Sequence, residues 1–238
     1  TTAQGIPVGG GLHDSSAALI PYLASFTEPF VLLSTGTWCI TLNPFNAQPL
    51  TIPELKSDCL CYLTYKGKPV KASRLFAGNE HELQVKRLAA HFEKEVNYYK
   101  TVKADPLLLR KYPMDYEALK QLQTETLPTV SVFGDRDLAD FDSYEEAYHL
   151  LIADLMALQV QSSWLVMKDT PVRKIFVDGG FSKNPIYMQL LAAAFPDKEV
   201  YAATVAQASS LGAAMAIHSL WNTQALPSSL VQLKKYGQ

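Results

Sequence analysis

Apolar positions recur along this chain in two rhythms. Short runs rich in β-branched and aromatic residues predict strands: Phe30 to Leu33, Trp38 to Leu42, Ile175 to Val177 and Glu199 to Ala202. The first two are joined across Ser34-Thr35-Gly36-Thr37, which reads as a β-hairpin turn carrying hydroxyls and a glycine. Spacing of three and four predicts helices. Ala147, Leu151, Leu155 and Leu158 line one face of a long helix over residues 144–168, with Ser143 and Glu146 placed as a capping box. Leu83, Leu88, Phe92 and Val96 give a stripe over a helix from Leu75 to Tyr99. Residues 17–26 read as a short or kinked helix, because Pro21 falls inside it, with Asp14 or Ser15 as N-cap. Pro185 opens a helix over 186–195. The last helix, 206–222, is small-sided through Ala206, Ser209, Ser210, Ala213 and Ala214.

Between these elements, residues 43–73 read as small strands and loops, among them Cys61 to Tyr65. Residues 100–130 are polar and proline-punctuated, with a short helix over Tyr116 to Gln123. The order is strands, a long insertion of about 43–142, then helix–strand–helix–strand–helix. It predicts an α/β fold, a mixed sheet with helices on both faces and an inserted lobe.

Composition narrows the function classes. Of 238 residues 48% are hydrophobic and 18% charged, the profile of a globular chain with a core, and a net charge of −2 makes no case for nucleic acid or an anionic membrane as partner. By sequence no apolar run reaches membrane-spanning length, and no signal peptide opens the chain. Cys39, Cys59 and Cys61 are an odd, sparse set that points to a reducing cytoplasm. Cys59-Leu60-Cys61 lacks a second pair at zinc spacing, so no metal ligand set is expected from the chain. His81, His91, His149 and His218 share no spacing to a carboxylate and read as surface or packing residues. The chain begins Thr1-Thr2 without Met, and the expectation is a piece of something longer.

Candidate chemistry gathers at glycine-bearing strand ends. Gly5 to Leu12 (GIPVGGGL) leads into His13-Asp14-Ser15-Ser16, Gly36 sits in the hairpin turn, and Asp178-Gly179-Gly180 ends a strand before a helix N-terminus. Glycines let bare backbone approach a ligand, and unpaired helix N–H groups suit phosphate oxygens. A tight βα turn without a ligand has the same appearance. G-x-G-x-x-G, the P-loop pattern and G-x-S-x-G are all absent, which disfavours a dinucleotide fold, a Walker loop and a serine hydrolase.

The combination GGGLHDSSAAL, LLSTGTW, VDGGFSKNPIYMQLLAAAF and ASSLGAAMAI, in that order, resembles the C-terminal half of the FGGY family of carbohydrate kinases. That resemblance implies a ribonuclease-H-like domain of the actin-like ATPase superfamily. It also implies ATP with Mg2+ as cofactors and an N-terminal domain of about 200–250 residues that completes the sugar pocket and carries a metal-linked aspartate. Asp14 falls on the family's general base for the sugar hydroxyl. Ser34, Thr35, Gly36 and Thr37 fall on its phosphate-contacting turn, and Gly179 and Gly180 on its adenosine motif. Ser182, Lys183 and Asn184 are candidates for adenine or ribose, with Asn184 equally readable as a helix cap. Gly212 falls in the small-residue helix near the nucleotide. Gln189, polar in an apolar helix, is expected to find a partner. Gly134-Asp135-Arg136 is only similar to the family's Gly-Glu-Arg stretch.

Two readings follow. The first is the nucleotide-binding half of an ATP-dependent kinase acting on a ketose such as a 6-deoxyketohexose or ketopentose, with a rhamnulose- or fuculose-kinase flavour in GLHDSSAAL. This half alone is expected to be inactive. Its partners would be the sugar, the missing N-terminal domain and, as a further option, a second copy in a homodimer. The alternative is a nucleotide-binding module of the same superfamily that performs no sugar chemistry.

Overall fold

In a computed structural model, the structure describes residues 4–5, 11–122, 126–204, 208–226 and 230–237. The glycine run at 6–10, Gln123 and Ala206, singled out above, lie outside the described residues. Helix α1 (Asp14–Ser25) leads into the hairpin β1 (Phe30–Thr35) and β2 (Cys39–Asn43). Then come α2 (Ile52–Lys56), β3 (Cys59–Leu63), β4 (Pro69–Leu75) and α3 (Ala77–His91). Short helices α4 (Pro106–Lys111) and α5 (Tyr116–Gln121) precede the long α6 (Tyr144–Met167). The chain continues through β5 (Lys174–Gly179), α7 (Pro185–Ala194), β6 (Glu199–Ala203), α8 (Ala208–Ala216), α9 (His218–Trp221) and β7 (Leu233–Tyr236).

The strands form a single seven-stranded sheet in the order β3-β4-β2-β1-β5-β6-β7. An antiparallel meander, β4-β2-β1, passes into β5 and β6, which run parallel to β1. That meander-plus-parallel core is the ribonuclease-H-like arrangement, with β3 and β7 added antiparallel at the two edges. Register aligns Thr35 with Gly179, so the carboxyl ends of β1 and β5 open at the same rim.

Strand alternation sorts the core into two faces. Val31, Leu33, Ile175, Val177 and Val200 point to the side covered by α3, α6 and α7. Phe30, Leu32, Leu42, Ala72 and Phe176 point to the side covered by α1 and the start of α8. On the second side the Phe176 ring packs against Phe26, Tyr22, Phe30 and Tyr201, with centroids 4.5–5.6 Å apart. Helix α6 is apolar nearly all round because it is enclosed nearly all round. Among the described residues it alone is long and apolar enough to cross a membrane, and its membrane-length window is mostly buried inside the fold.

Several expectations change. β3 and β4 lie within residues 43–142 but join the main sheet, β4 beside β2. In β4 the buried Lys71 pairs with the buried Glu54 at 2.7 Å, so a polar-looking segment makes an inner strand. Helix α3 ends at His91, where Glu93 takes a left-handed φ of 51°. Its buried stripe is Ala77, Val85, Leu88 and Ala89, while Leu83 and Val96 are exposed. At the start of α6, Ser143 Oγ accepts the Glu146 N–H as expected, but the Glu146 carboxylate turns to the Asp142 N–H, Lys111 and the Tyr112 hydroxyl. The capping box is half formed. The terminal helix breaks at Ile217 into α8 and α9, and Gln189 is exposed on α7 without a buried partner to demand.

Candidate active site

A cleft of about 630 Å³ opens at the carboxyl rim of β1 and β5, lined by the start of α1, the β1–β2 turn, the end of β5 and the start of α8. Asp14, Ser34, Thr35, Gly36, Thr37 and Gly179 share it, although they come from three distant stretches of sequence. The structure also brings in residues the sequence reading did not assign: Arg74, Tyr62, Trp38, Asp178 and Ser209.

Asp14 is the first residue of α1, not its cap. The cap is His13, whose Nδ1 lies 3.2 Å from the Ser15 amide nitrogen. The Asp14 side chain is 79% exposed and stands at the cleft mouth. A carboxylate in the first turn sits favourably in the field of the helix N-terminus.

The hairpin turn divides its labour. Thr35 is a knot, not a ligand group: its hydroxyl donates to the Asp178 carbonyl at 2.6 Å and accepts the Phe181 N–H at 3.0 Å, while its carbonyl accepts the Gly180 N–H at 2.9 Å. Its hydroxyl is thus engaged inside the fold, while the residue still lines the cleft. Gly36 and Thr37 are exposed, and a Cβ built on Gly36 would meet open space. What holds this open turn is α3. A Cβ on Gly78 would lie 1.8 Å from the Gly36 carbonyl oxygen, and the Asn79 N–H donates to the Thr37 carbonyl at 3.1 Å. The sequence contained this signal as a lone glycine at a helix start, too common to single out.

Gly179 is required for two reasons. Its φ is +92°, and a Cβ there would come within 1.8 Å of the Thr35 carbonyl oxygen. Beside it, the Asp178 carboxylate is buried and accepts the Gly179 N–H at 2.9 Å and the Ala208 N–H at the start of α8. Burial raises its pKa above the usual carboxylate value, and those two hydrogen bonds oppose the rise. Asp178 thus ties α8 to the rim.

The remaining candidates separate from the cleft. Gly180, Lys183 and Asn184 line a second cavity of about 340 Å³ with Tyr99, Lys100 and Tyr148. Asn184 caps α7, its Oδ1 accepting the Ile186 and Tyr187 N–H groups at 3.0 and 3.2 Å. Its Nδ2 donates to the Tyr148 hydroxyl at 2.9 Å, and that hydroxyl lies 3.0 Å from His81 Nε2. Burial among Tyr99, Tyr148 and Phe181 lowers the His81 pKa to about 4. The imidazole is neutral at pH 7 and can accept a hydrogen bond from the Tyr148 hydroxyl. His149 is likewise a packing residue, set between the Glu145 carbonyl and the Asp105 N–H. Ser182 is buried and donates to the Gly179 and Ala203 carbonyls, so it braces the turn and does not face either cavity. Gly212 packs against α1: a Cβ there would lie 1.8 Å from the Ala17 carbonyl oxygen. Pro21, four residues on, has no N–H for that carbonyl, and α8 packs directly against it. Arg136, of the Gly-Asp-Arg stretch, pairs with Asp154 on α6 at 2.8 Å, away from the cleft.

This geometry is a ribonuclease-H-like sheet with a glycine-edged cleft at its parallel strand ends. Two family models match: "Carbohydrate kinase FGGY, C-terminal domain" over residues 27–115 and "FGGY family of carbohydrate kinases, C-terminal domain" over residues 137–219. Between them they span most of the chain, which belongs to the FGGY carbohydrate kinase family as its C-terminal domain. Solved structures with the same fold include a carbohydrate kinase from Novosphingobium aromaticivorans, at 24% identity and TM-score 0.61, covering 95% of this chain and 46% of that one. A xylulose kinase from Rhodospirillum rubrum gives 16% identity and TM-score 0.66, covering 99% and 50%. A ligand-bound xylulose kinase from Lactobacillus acidophilus gives 19% and 0.62, covering 93% and 45%. The chain therefore spans about half the length of these kinases. Comparison with curated proteins returned no match.

Proposed function

We propose that this chain is the nucleotide-binding half of an ATP-dependent sugar kinase and that Asp14 supplies the general base. One observation carries the reading: Asp14, in the first turn of α1 and not its cap, is exposed in the same cleft as the open Gly36-Thr37 turn and the Gly179 rim. The cleft suits a polyphosphate. Its turn presents backbone and hydroxyls with no side chain over Gly36. For Mg2+ the fit is that of an ion held mainly by phosphate and water with one or two carboxylates, here Asp178 at the cleft wall and a residue of the absent half. Among the described residues no three His, Cys, Asp or Glu side chains cluster as a metal cage. When bound, the ATP and its ion supply the transferable phosphoryl group and neutralise its charge.

The chain's own contribution is positioning and one proton. As the sugar hydroxyl oxygen bonds to the γ-phosphorus and the bond to the β–γ bridging oxygen breaks, the hydroxyl proton passes to the Asp14 carboxylate. Ser34, Thr37 and the Gly36 backbone face the phosphates. Gly180, Lys183 and Asn184, with Tyr99 and Tyr148, offer the nucleoside a second cavity beyond the Gly179 turn. The sugar would be a ketose, held largely by the half of the protein not present here.

The test is an ADP-release assay on the full-length protein over ketopentoses, 6-deoxyketohexoses and polyols. Sugar-dependent turnover on at least one class is expected. Adenine-nucleotide binding with no turnover on any of them would instead identify a non-catalytic nucleotide module.

A further inference from the structure

Two carboxylates, Asp14 and Asp178, line the cleft, so a polyphosphate entering it needs positive charge from the protein as well as from its ion. Among the described residues that line it, Arg74 is the one lysine or arginine. Arg74 lies opposite Ile40 in the β4–β2 register and two residues on from Ala72. That places it on the sheet face covered by α1, the helix that carries Asp14. It stands one residue from the end of β4, at the rim where the hairpin turn opens. Its guanidinium lies over the Trp38 ring, 4.9 Å from the centroid, and the Trp38 carbonyl accepts the Gly36 N–H at 2.8 Å to close that turn.

The guanidinium is held on one edge. Its Nε–H donates to Asp58 Oδ2 at 3.1 Å and its Nη2–H to Oδ1 at 2.7 Å, a bidentate pair that fixes the plane of the fork. Asp58 thereby takes two of the five N–H donors, and the Tyr62 hydroxyl, also in the cleft lining, is a further neighbour. The Arg74 and Asp58 side chains are 32% and 40% exposed, so their pairing adds little to folding. Its consequence is to aim a planar cation at the cleft.

We propose that Arg74 is a ligand of the γ-phosphoryl group: Asp58 and Trp38 hold its guanidinium at the rim, and its remaining N–H groups donate to the γ-phosphate oxygens of ATP bound over Gly36-Thr37. The proposal rests on this chain being the nucleotide-binding half of a kinase. A fixed fork matches phosphate oxygens better than a mobile point charge does, and phosphoryl transfer depends on such charge stabilisation.

The experiment titrates the full-length protein, in the presence of Mg2+, with ADP and with AMP-PNP, an ATP analogue that keeps its γ-phosphate. Arg74→Gln is expected to weaken AMP-PNP about tenfold while ADP affinity stays within about twofold and the melting temperature is unchanged. Arg74→Lys keeps the charge but not the fork, and its AMP-PNP affinity should fall between the two. An unchanged ratio of AMP-PNP to ADP affinity in both variants would overturn the assignment and leave the nucleotide site standing. A purely structural Arg74–Asp58 pair predicts that outcome, since it has no means of telling the two nucleotides apart. Wild-type protein that bound neither nucleotide would refute the nucleotide-binding reading, and the Arg74 assignment with it.

Discussion

Helices α6 and α8 are both apolar, yet they meet their neighbours in opposite ways. Over its 24 residues α6 buries large side chains on almost every side, and Leu151, Leu155, Met156 and Val160 are inaccessible or nearly so. Of the nine residues of α8 only Ala208 and Gly212 are buried, and its grip on α1 is backbone against backbone at Gly212 and Ala17. One region is held by filled volume and the other by missing volume. The site sits on the second. Close approach at Gly212 sets where α1 begins, the Ser209 hydroxyl donates to the Asp14 carbonyl at 3.2 Å, and the Asp178 carboxylate holds the first turn of α8. A glycine contact has little room to drift, and that is what the proposed general base would need from its scaffold.

The contrast predicts opposite sensitivities. Truncation should hurt most around α6. Leu151→Ala is expected to cost about 3 kcal/mol in denaturant unfolding, with turnover per folded molecule unchanged. Enlargement should hurt around α8. Gly212→Ala is expected to cost about 2 kcal/mol, because the new Cβ must displace the Ala17 carbonyl, and to lower kcat as well by moving the start of α1. If Gly212→Ala behaved as a neutral surface change, within about 0.5 kcal/mol and with full activity, the contrast would fail. The smallest effect at neutral pH belongs to His81, which is on neither helix but borders Tyr148 of α6. Its folded pKa of about 4 lies below the unfolded value of 6.5. Below pH 6.5 the unfolded state takes up a proton that the folded state refuses, so stability declines as pH falls toward 4 and levels off there. His81→Asn should flatten that limb, by at most about 1.4 kcal/mol per pH unit, and leave stability at pH 7 nearly unchanged apart from local packing. Thermal melts from pH 7 to pH 4 would measure it.

The same contrast explains what was legible in the sequence. Filled volume leaves a pattern: the heptad-like spacing of Ala147, Leu151, Leu155 and Leu158 announced α6 almost to the residue, and β1, β2, β5 and β6 were visible as β-branched runs. β4 was obscured because Lys71 and Arg74 look solvent-facing until their partners Glu54 and Asp58 are known. β7, Leu-Lys-Lys-Tyr at a sheet edge, carries too little apolar character to stand out. Missing volume leaves almost no pattern. Ordered motifs brought Asp14, Gly36 and Gly179 to attention, but nothing in them showed that Thr35 and Ser182 spend their hydroxyls inside the fold. Nor did they show that Gly78 braces the turn, or that Gly212 meets the backbone of α1. Those facts depend on which carbonyl lies within reach, and only the fold supplies that.

The account turns on Asp14, and one substitution in the full-length protein tests it most directly. Asp14→Asn keeps the size of the side chain and its place in the first turn of α1 but cannot accept the hydroxyl proton. The account predicts kcat lower by roughly 10²–10⁴-fold on the best sugar, with adenine-nucleotide affinity and melting temperature unchanged. Near-normal phosphorylation by that variant would contradict it.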